Sequence, residues 1–459
     1  MGTPSGSVRA PTATNLMNLE PSIIWGLAFA VIVAVVVPYA VAFRRRVLVD
    51  RERKAEASAL GVDRPSAQYP YVDPMRCIGC GACVRACPEG DVLGVVGGTA
   101  VVVNGLRCVG HGRCEVACPV GAIEVGLGDL KSRSDVPLLD ESLETSVPGL
   151  FVAGELGGLS LVRNAVGQGR DVVEEVARRR TAQPPSPEEG VLDLVIVGAG
   201  PAGLSAGMTS AQHGLDYLIL EREPDLGGSI LHYPRRKMVL TQPVELAPWG
   251  KLTQEEYSKE HLLDVFSSAV QDLGLRIRFR SPVAGIVRGP TAFEVSFAGG
   301  SVRTRFVLLA LGRRGTPRKL GVPGEEQAKV MYRLIDAESY KGQRVLVVGG
   351  GDSAVEAAIG LAQQSSNEVT LSYRRDKLVR IKKKNQDRAD TMIASGRIRT
   401  LFPSQVREIG EKSVSLTARE DEPLELDNDF VFVFAGGVPP FGLLKEAGVA
   451  FGGEQVGEA

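Results

Sequence analysis

The sequence predicts an α/β chain: two three-layer domains on parallel sheets, a small α+β module ahead of them, and one apolar helix at the amino terminus. Three observations predict it. A strand pattern, a glycine turn and a helix pattern follow one another twice, at Gly198-Ala-Gly200-Pro-Ala-Gly203 and at Gly349-Gly350-Gly351-Asp352-Ser353. All seven cysteines fall between Cys77 and Cys118, in two runs of like spacing. No charged residue occurs from Ile23 to Phe43. A length of 459 residues suits about three domains, and 44% hydrophobic residues suffice for buried cores. A net charge of −1 gives no footing for nucleic acid.

The uncharged stretch meets the roughly 20 apolar residues that a helix needs to cross a bilayer. Pro38 lies near one end of it. Arg44, Arg45 and Arg46 follow at once, whereas only Arg9 and Glu20 carry charge before it. The positive-inside rule then puts the carboxyl side in the cytoplasm. A cleaved signal peptide, processed near Ala40-Val41-Ala42, is the competing reading. Its amino flank is not basic, and the apolar run is too long for a signal core. The expectation is a single-pass cell-membrane protein with a cytoplasmic catalytic part. Residues 1–22 lie outside, 23–43 span the bilayer, and 44–69 form a charged, then proline-containing, linker.

The first cysteine run is Cys77-Ile-Gly-Cys80-Gly-Ala-Cys83-Val-Arg-Ala-Cys87-Pro88. The second is Cys108-Val-Gly-His111-Gly-Arg-Cys114-Glu-Val-Ala-Cys118-Pro119, with His111 in place of the second cysteine. Zinc prefers separated CxxC pairs. Disulfides need an oxidising compartment, and seven is an odd count. The C-x2-C-x2-C-x3-C-P spacing resembles that of bacterial two-cluster ferredoxins, where the fourth cysteine ligates the other cluster. Over residues 70–125 the resemblance implies a 4Fe–4S cluster on Cys77, Cys80, Cys83 and Cys118. It implies a second cluster on Cys87, Cys108 and Cys114. That one is either a 3Fe–4S cluster with His111 as a loop residue, or a 4Fe–4S cluster with His111 as a ligand.

In the first glycine turn, the strand Leu192–Val197 leads into Gly198, Gly200 and Gly203, and the helix pattern starts near Pro201. Such glycines allow a tight turn, close approach to a pyrophosphate and close helix packing. A second strand ends at Glu221, about 20 residues on, where an acid binds ribose hydroxyls. Gly227 and Gly228 follow, and Ala310-Leu-Gly312 closes a hairpin region. Thr145-Ser-Val-Pro-Gly-Leu-Phe151-Val-Ala153-Gly154-Glu155 resembles the second flavin motif of the thioredoxin reductase family, with Glu155 for the usual Asp. In that family this motif lies near the carboxyl end. Here it precedes the first flavin motif, while 435–449 resembles the segment that normally runs into it. The resemblance, over about 145–449, therefore implies a circular permutation. Residues 126–180 are the displaced end of an FAD domain, 181–190 a linker, 191–315 its main body, 316–437 an NADPH domain and 438–459 a return segment. Both large domains are then Rossmann-like. FAD would be held by Gly154, Glu155, Gly198, Gly200, Gly203, Glu221, Gly227 and Gly228.

In the second turn, Gly349, Gly351, Asp352 and Ser353 shape the dinucleotide site. The next strand ends at Tyr373-Arg374-Arg375 instead of an acid. Arginine suits the 2′-phosphate of NADPH, where an acid would suit NADH. Arg380 resembles a third arginine of the family, displaced by one residue. Lys382-Lys383-Lys384 reads as a solvated basic face in preference to a docking patch. The family's reductases carry a CxxC in this domain, but no cysteine follows Cys118. Bacillithiol disulfide reductases, which 233–246 resembles, use a cysteine where Ala202 stands.

The expected function is an NADPH–FAD–iron–sulfur oxidoreductase exchanging electrons with a redox partner protein or a membrane electron carrier. Catalysis would belong to the flavin, with no side-chain acid or base. The alternatives are direct reduction of a small disulfide at the flavin, and a redox sensor or docking subunit of a membrane complex. Relatives of the flavoprotein part are often dimers, which makes a homodimer an expectation.

Overall fold

A computed structural model of the protein describes residues 21–59, 68–127, 134–182, 190–313, 315–418 and 422–453. Residues 1–20, 60–67 and 183–189, which carry most of the expected outer segment and parts of two linkers, lie outside the described residues.

The amino-terminal helix runs from Pro21 to Ala59, 39 residues, with Pro38 inside it. It continues past the apolar stretch through most of the expected juxtamembrane linker. Residues 44–59 contain no glycine or proline and are rich in Arg, Ala and Glu, good helix formers that lower the cost of extension. The extension is also docked. Asp50 accepts the Val95 N–H at 2.9 Å, and Arg53 pairs with Asp91 at 2.8 Å. Upstream, Trp25, Phe29, Ile32, Val35 and Tyr39 are exposed. The helix is long and apolar enough to cross a membrane, and none of its apolar window is buried.

The cysteine module is α+β. Tyr69–Val72 pairs antiparallel with Ile123–Gly126, and Leu93–Val96 with Thr99–Val102. Short helices Ala82–Ala86 and Arg113–Val116 follow the two cysteine loops. Cys83, Val92, Leu93, Ala100, Cys114 and Ile123 form its small core.

The first nucleotide domain is built on a sheet of seven strands. Val191–Val197 lies parallel between Tyr217–Leu220 and the long strand Gly300–Leu309. Strand periodicity divides its residues between two faces. Leu194 and Ile196 join one core with the helices Val162–Ala182, Pro201–Gln212 and Lys259–Leu273. Val195 and Val197 join another with Leu150, Val152, Leu444 and Phe451. The seventh strand, Leu150–Val152, pairs parallel with Val307–Leu309. Residues 145–180 therefore belong to this domain. The last described segment returns to them: the Leu138 N–H donates to Ala450 O at 3.0 Å, and the Ala450 N–H to Ser146 Oγ at 2.8 Å.

The second nucleotide domain has a parallel sheet of five strands, in the order Val330–Met331, Phe430–Val433, Arg344–Val348, Glu368–Ser372 and Ile398–Leu401. A three-stranded antiparallel sheet, 405–427, flanks it. Ion pairs Lys237–Glu356 at 2.7 Å and Arg235–Asp336 at 3.1 Å join the two nucleotide domains.

Candidate cofactor sites

The second cysteine loop closes around a cavity lined by Cys87, Cys108, His111 and Cys114, with Pro88, Glu89 and Val109 among its walls. These are the four side chains expected at the second cluster. Burial, then the charges of Lys382 and Arg113, pushes His111 down to about 4. Its imidazole is therefore neutral at pH 7, the form that ligates metals. Nε2 lies 3.8 Å from the Glu89 carboxylate. Burial pushes the Cys108 and Cys114 thiols up to about 11. Iron binding must displace those protons, so loading of this site releases acid. Among the described residues no three His, Cys, Asp or Glu are spaced to hold one metal ion. A cluster asks for something else, one ligand per iron around a shared core.

The first loop has a different setting. Cys80 is exposed, Cys83 buried, and Cys77 and Cys118 half-buried. The Ala100 N–H donates to Cys77 Sγ and the Ala122 N–H to Cys118 Sγ, both at 3.2 Å. Gly79 has a φ of +67°, and a Cβ there would collide with the carbonyl of Gly98. Only glycine lets this loop sit on the hairpin turn.

The flavin-type residues converge. A Cβ on Gly198 would lie 2.5 Å from Ala310 O, and one on Gly203 would strike Gly198 O. Gly200 instead faces open space, with only the Gly228 Cα within 4 Å of a Cβ, at 3.9 Å. That is a cradle a side chain would fill and a pyrophosphate can enter. Glu221 accepts the N–H of Ala199 at 2.6 Å and of Glu223 at 2.8 Å, which pins its carboxylate beside the turn. Gly154 lies against Ala202, and its N–H donates to Gln168 Oε1 at 2.8 Å. Glu155 opens the turn Glu155–Gly157 that follows. The sequence reading missed Gly169 and Ser205. A Cβ on Gly169 would clash with Ala202 O, and Ser205 Oγ donates to Val166 O at 2.8 Å. Glycine spacing on both helices was the available signal. Gln242 was missed as well. Its Oε1 is buried and has no partner among the described residues.

In the second domain, Gly349 sits at φ +146°, where a Cβ would lie 2.6 Å from Phe434 O. Gly351 faces open space and caps the helix Asp352–Ala362. Ser353 is half-buried in its first turn. Asp352 accepts from the Lys382 N–H at 3.0 Å and from Asn385 Nδ2 at 2.7 Å. Arg374, exposed, and Arg375, half-buried, follow the strand Glu368–Ser372, which neighbours the glycine turn's strand. Arg380 is exposed, on a loop whose Val379 packs with Ala57 and Leu106. Lys383 and Lys384 are exposed, as a solvated face requires. Lys382 is half-buried and acts electrostatically on Glu89 and His111.

The sequence pattern of the pyridine nucleotide-disulphide oxidoreductases matches residues 195–456. The chain belongs to this family. It is a pyridine nucleotide-dependent oxidoreductase. A 4Fe-4S dicluster domain pattern matches residues 69–119. A ferredoxin–NADP reductase of Ignicoccus hospitalis is 30% identical over 273 residues, 58% of this chain and 83% of that protein. The bacilliredoxin reductase Bdr of Bacillus subtilis is 28% identical over 260 residues, 56% of this chain and 80% of its own length. The structure of the bacillithiol disulfide reductase Bdr of Staphylococcus aureus superposes with a TM-score of 0.51 at 26% identity, over 56% of this chain and 80% of that one. Family membership and the ferredoxin-type module support FAD, NADPH and a 4Fe–4S cluster as cofactors of this oxidoreductase.

The cavity around His111 lies where this family's two domains meet the cysteine module. Arg113 pairs with Glu255 of the FAD-type domain at 2.6 Å. Glu89 feels Lys382 and Asp352 of the nucleotide domain and Glu256 of the FAD-type domain. His111 also feels Arg163, at the start of the helix that follows Gly154-Glu155.

Proposed function

We propose that the chain is a membrane-anchored flavin/iron–sulfur oxidoreductase. It passes electrons between NADPH and a partner redox protein or membrane electron carrier. One observation carries the reading: the walls of the second cysteine cavity interact with both nucleotide domains, Arg113 pairing with Glu255 and Glu89 feeling the charges of Lys382 and Asp352. Bound FAD exchanges a two-electron hydride donor for one-electron centres. The protein holds it with Gly154, Glu155, Gly198, Gly200, Gly203, Glu221, Gly227 and Gly228. Gly349, Gly351, Asp352, Ser353, Arg374, Arg375 and Arg380 serve NADPH. Cys77, Cys80, Cys83 and Cys118 hold one cluster, and Cys87, Cys108 and Cys114, with His111 beside them, the other. The FAD domain is a circular permutant. The pairing of Leu150–Val152 with Val307–Leu309 and the return of Ala450 to Leu138 support this. The exposed apolar helix supports a single-pass anchor with the catalytic part in the cytoplasm. A homodimer is part of the proposal and is checked by light scattering.

Anaerobic stopped-flow spectroscopy tests the reading. NADPH bleaches flavin absorbance first and cluster absorbance second. Simultaneous bleaching, or cluster reduction without flavin, rejects that order. The second reading is reduction of a small disulfide at the flavin, favoured by the relatives named bacilliredoxin and bacillithiol disulfide reductase. Ala202 and the lack of cysteines after Cys118 speak against a thiol relay. Disulfide-dependent NADPH oxidation that survives cluster removal would restore it.

A further inference from the structure

Building on the membrane-anchored reading above, we propose that the Cys80 side of the cysteine module is the outlet of the electron chain. It is held against the bilayer surface and delivers electrons to a lipid-soluble quinone.

Direction along the amino-terminal helix is the first support. As the helix leaves its apolar stretch, Asp50 meets Val95, Arg53 then meets Asp91, and Ala57 packs with Leu106 and Val379. Helix residues 50 to 53 thus match residues 95 back to 91, that is, the strand Leu93–Val96 and the bend before it. The hairpin tip, Gly97-Gly98, must point toward the apolar stretch. At about 1.5 Å per residue, Asp50 stands about 10 Å beyond Phe43, and the tip stands nearer to it. The polar layer of one leaflet is about 5–8 Å deep. Arg44, Arg45 and Arg46 fill the interval and suit anionic headgroups.

The second support is what sits on that tip. Gly79 is pressed against the Gly98 carbonyl, and Ala100, just past the turn, donates to Cys77 Sγ. The first cysteine loop is therefore fixed to the membrane-pointing end of the module. Cys87 and Cys108 lie toward the other end, where Asp91 meets Arg53 and Arg107.

Exposure is the third. Met75 is 92% exposed, Ile78 63% and Val116 89%. Each stands one or two residues from a ligand of the first site: Cys77, Cys80 or Cys118. Exposed apolar side chains beside these cluster ligands, with Cys80 itself exposed, offer a contact surface to an apolar partner. The charges nearby, Asp73, Arg76, Arg85 and Glu115, are exposed and mixed in sign. They build no single-sign field to steer a charged soluble partner. An apolar surface at headgroup depth fits a carrier dissolved in the acyl layer.

The reaction balances. NADPH is oxidised to NADP+, releasing a proton and two electrons that leave singly past Cys80. The quinone takes both electrons and two protons to become the quinol, so one proton is drawn from water.

The test uses the full chain with its cofactors in liposomes that carry Ni2+ on a chelating lipid headgroup. Microwave power saturation is read on each cluster's EPR signal in its paramagnetic state, reduced for a 4Fe–4S cluster and oxidised for a 3Fe–4S cluster, and a His111→Cys variant assigns the second. The surface ion speeds relaxation of the first-site signal several-fold and leaves the second nearly unchanged. Equal enhancement of both, or a larger effect on the second, overturns the orientation. Protein that does not float with the liposomes rejects the anchor itself, a separate failure. In the same vesicles, NADPH oxidation with a long-chain quinone exceeds the quinone-free rate. Met75→Glu with Val116→Glu lowers the ratio of quinone to ferricyanide turnover about tenfold on anionic lipid. A quinone rate at background with normal ferricyanide turnover overturns the acceptor.

Discussion

Cys80 stands exposed, while its counterpart in the second loop, His111, has a side chain only 10% exposed. The two loops share their spacing and their left-handed glycines: Gly79 and Gly81 in one, Gly110 and Gly112 in the other. Their local structure is set by the same physics. Their surroundings are not. The first loop leans on its own hairpin and meets solvent; the second is walled by Glu89 and approached by Lys382 and Arg163 from other parts of the chain. In the proposed electron path the same loop would serve two ends of a chain of centres, and what encloses it would decide which end.

The largest test of this contrast removes one end. Cys77→Ser should lower electron delivery to any acceptor beyond the clusters by more than about 100-fold, while flavin reduction by NADPH stays within about twofold. Stopped-flow and steady-state assays together check it. Equal loss of both steps would mean that the first site is not downstream.

The next test makes the loops alike. His111→Cys adds a thiolate, and so negative charge, to the second site. Its midpoint potential should fall by about 100 mV or more, while the first stays within about 20 mV. An EPR-monitored redox titration reads both.

Glycine substitutions sharpen the comparison further. At Gly79 a Cβ meets backbone, the Gly98 carbonyl, which cannot move away. At Gly110 it meets the buried Gln68 side chain, whose amide donates to Val109 O at 2.7 Å and would have to repack, as a side chain can and a backbone carbonyl cannot. Gly79→Ala should lose most of the first cluster's iron. Gly110→Ala should cost about 1–2 kcal/mol for its left-handed backbone and keep its iron. Iron analysis after identical reconstitution separates the two.

The smallest effect is on pH. His111 titrates near 4 in the fold against an ordinary value of 6.5, so the folded chain binds fewer protons there. Stability from this group is complete above 6.5 and is lost as pH falls toward 4. The urea midpoint of the iron-free protein should fall across that window, and His111→Asn should flatten the trend.

Much of this was legible before folding. Short-range rules fix the cysteine spacing, and the glycine turns at Gly198 and Gly349 each need a strand before them and a helix after. The helix beyond Phe43 was not legible, because its last turns are held by Asp50 and Arg53 against a hairpin 40 residues away. Gly169 gave a weak signal, since its need for glycine comes from Ala202 on another helix. Lys382 looked like one of three solvated lysines. Only the approach of Glu89 and His111 set it apart.

By itself the sequence determined the local chemistry: which residues can ligate iron, which turns can admit a pyrophosphate, and which stretch can cross a bilayer. Each of these depends on neighbours within a few residues, where spacing and side-chain type are sufficient. The tertiary structure alone decided the arrangement. It set Leu150–Val152 beside Val307–Leu309, His111 on the seam between domains, and the Cys80 loop at the end of the hairpin that points along the helix to Phe43. Those contacts join residues far apart in the chain, and they form only where buried surface and paired backbone groups outweigh the entropy of bringing such segments together.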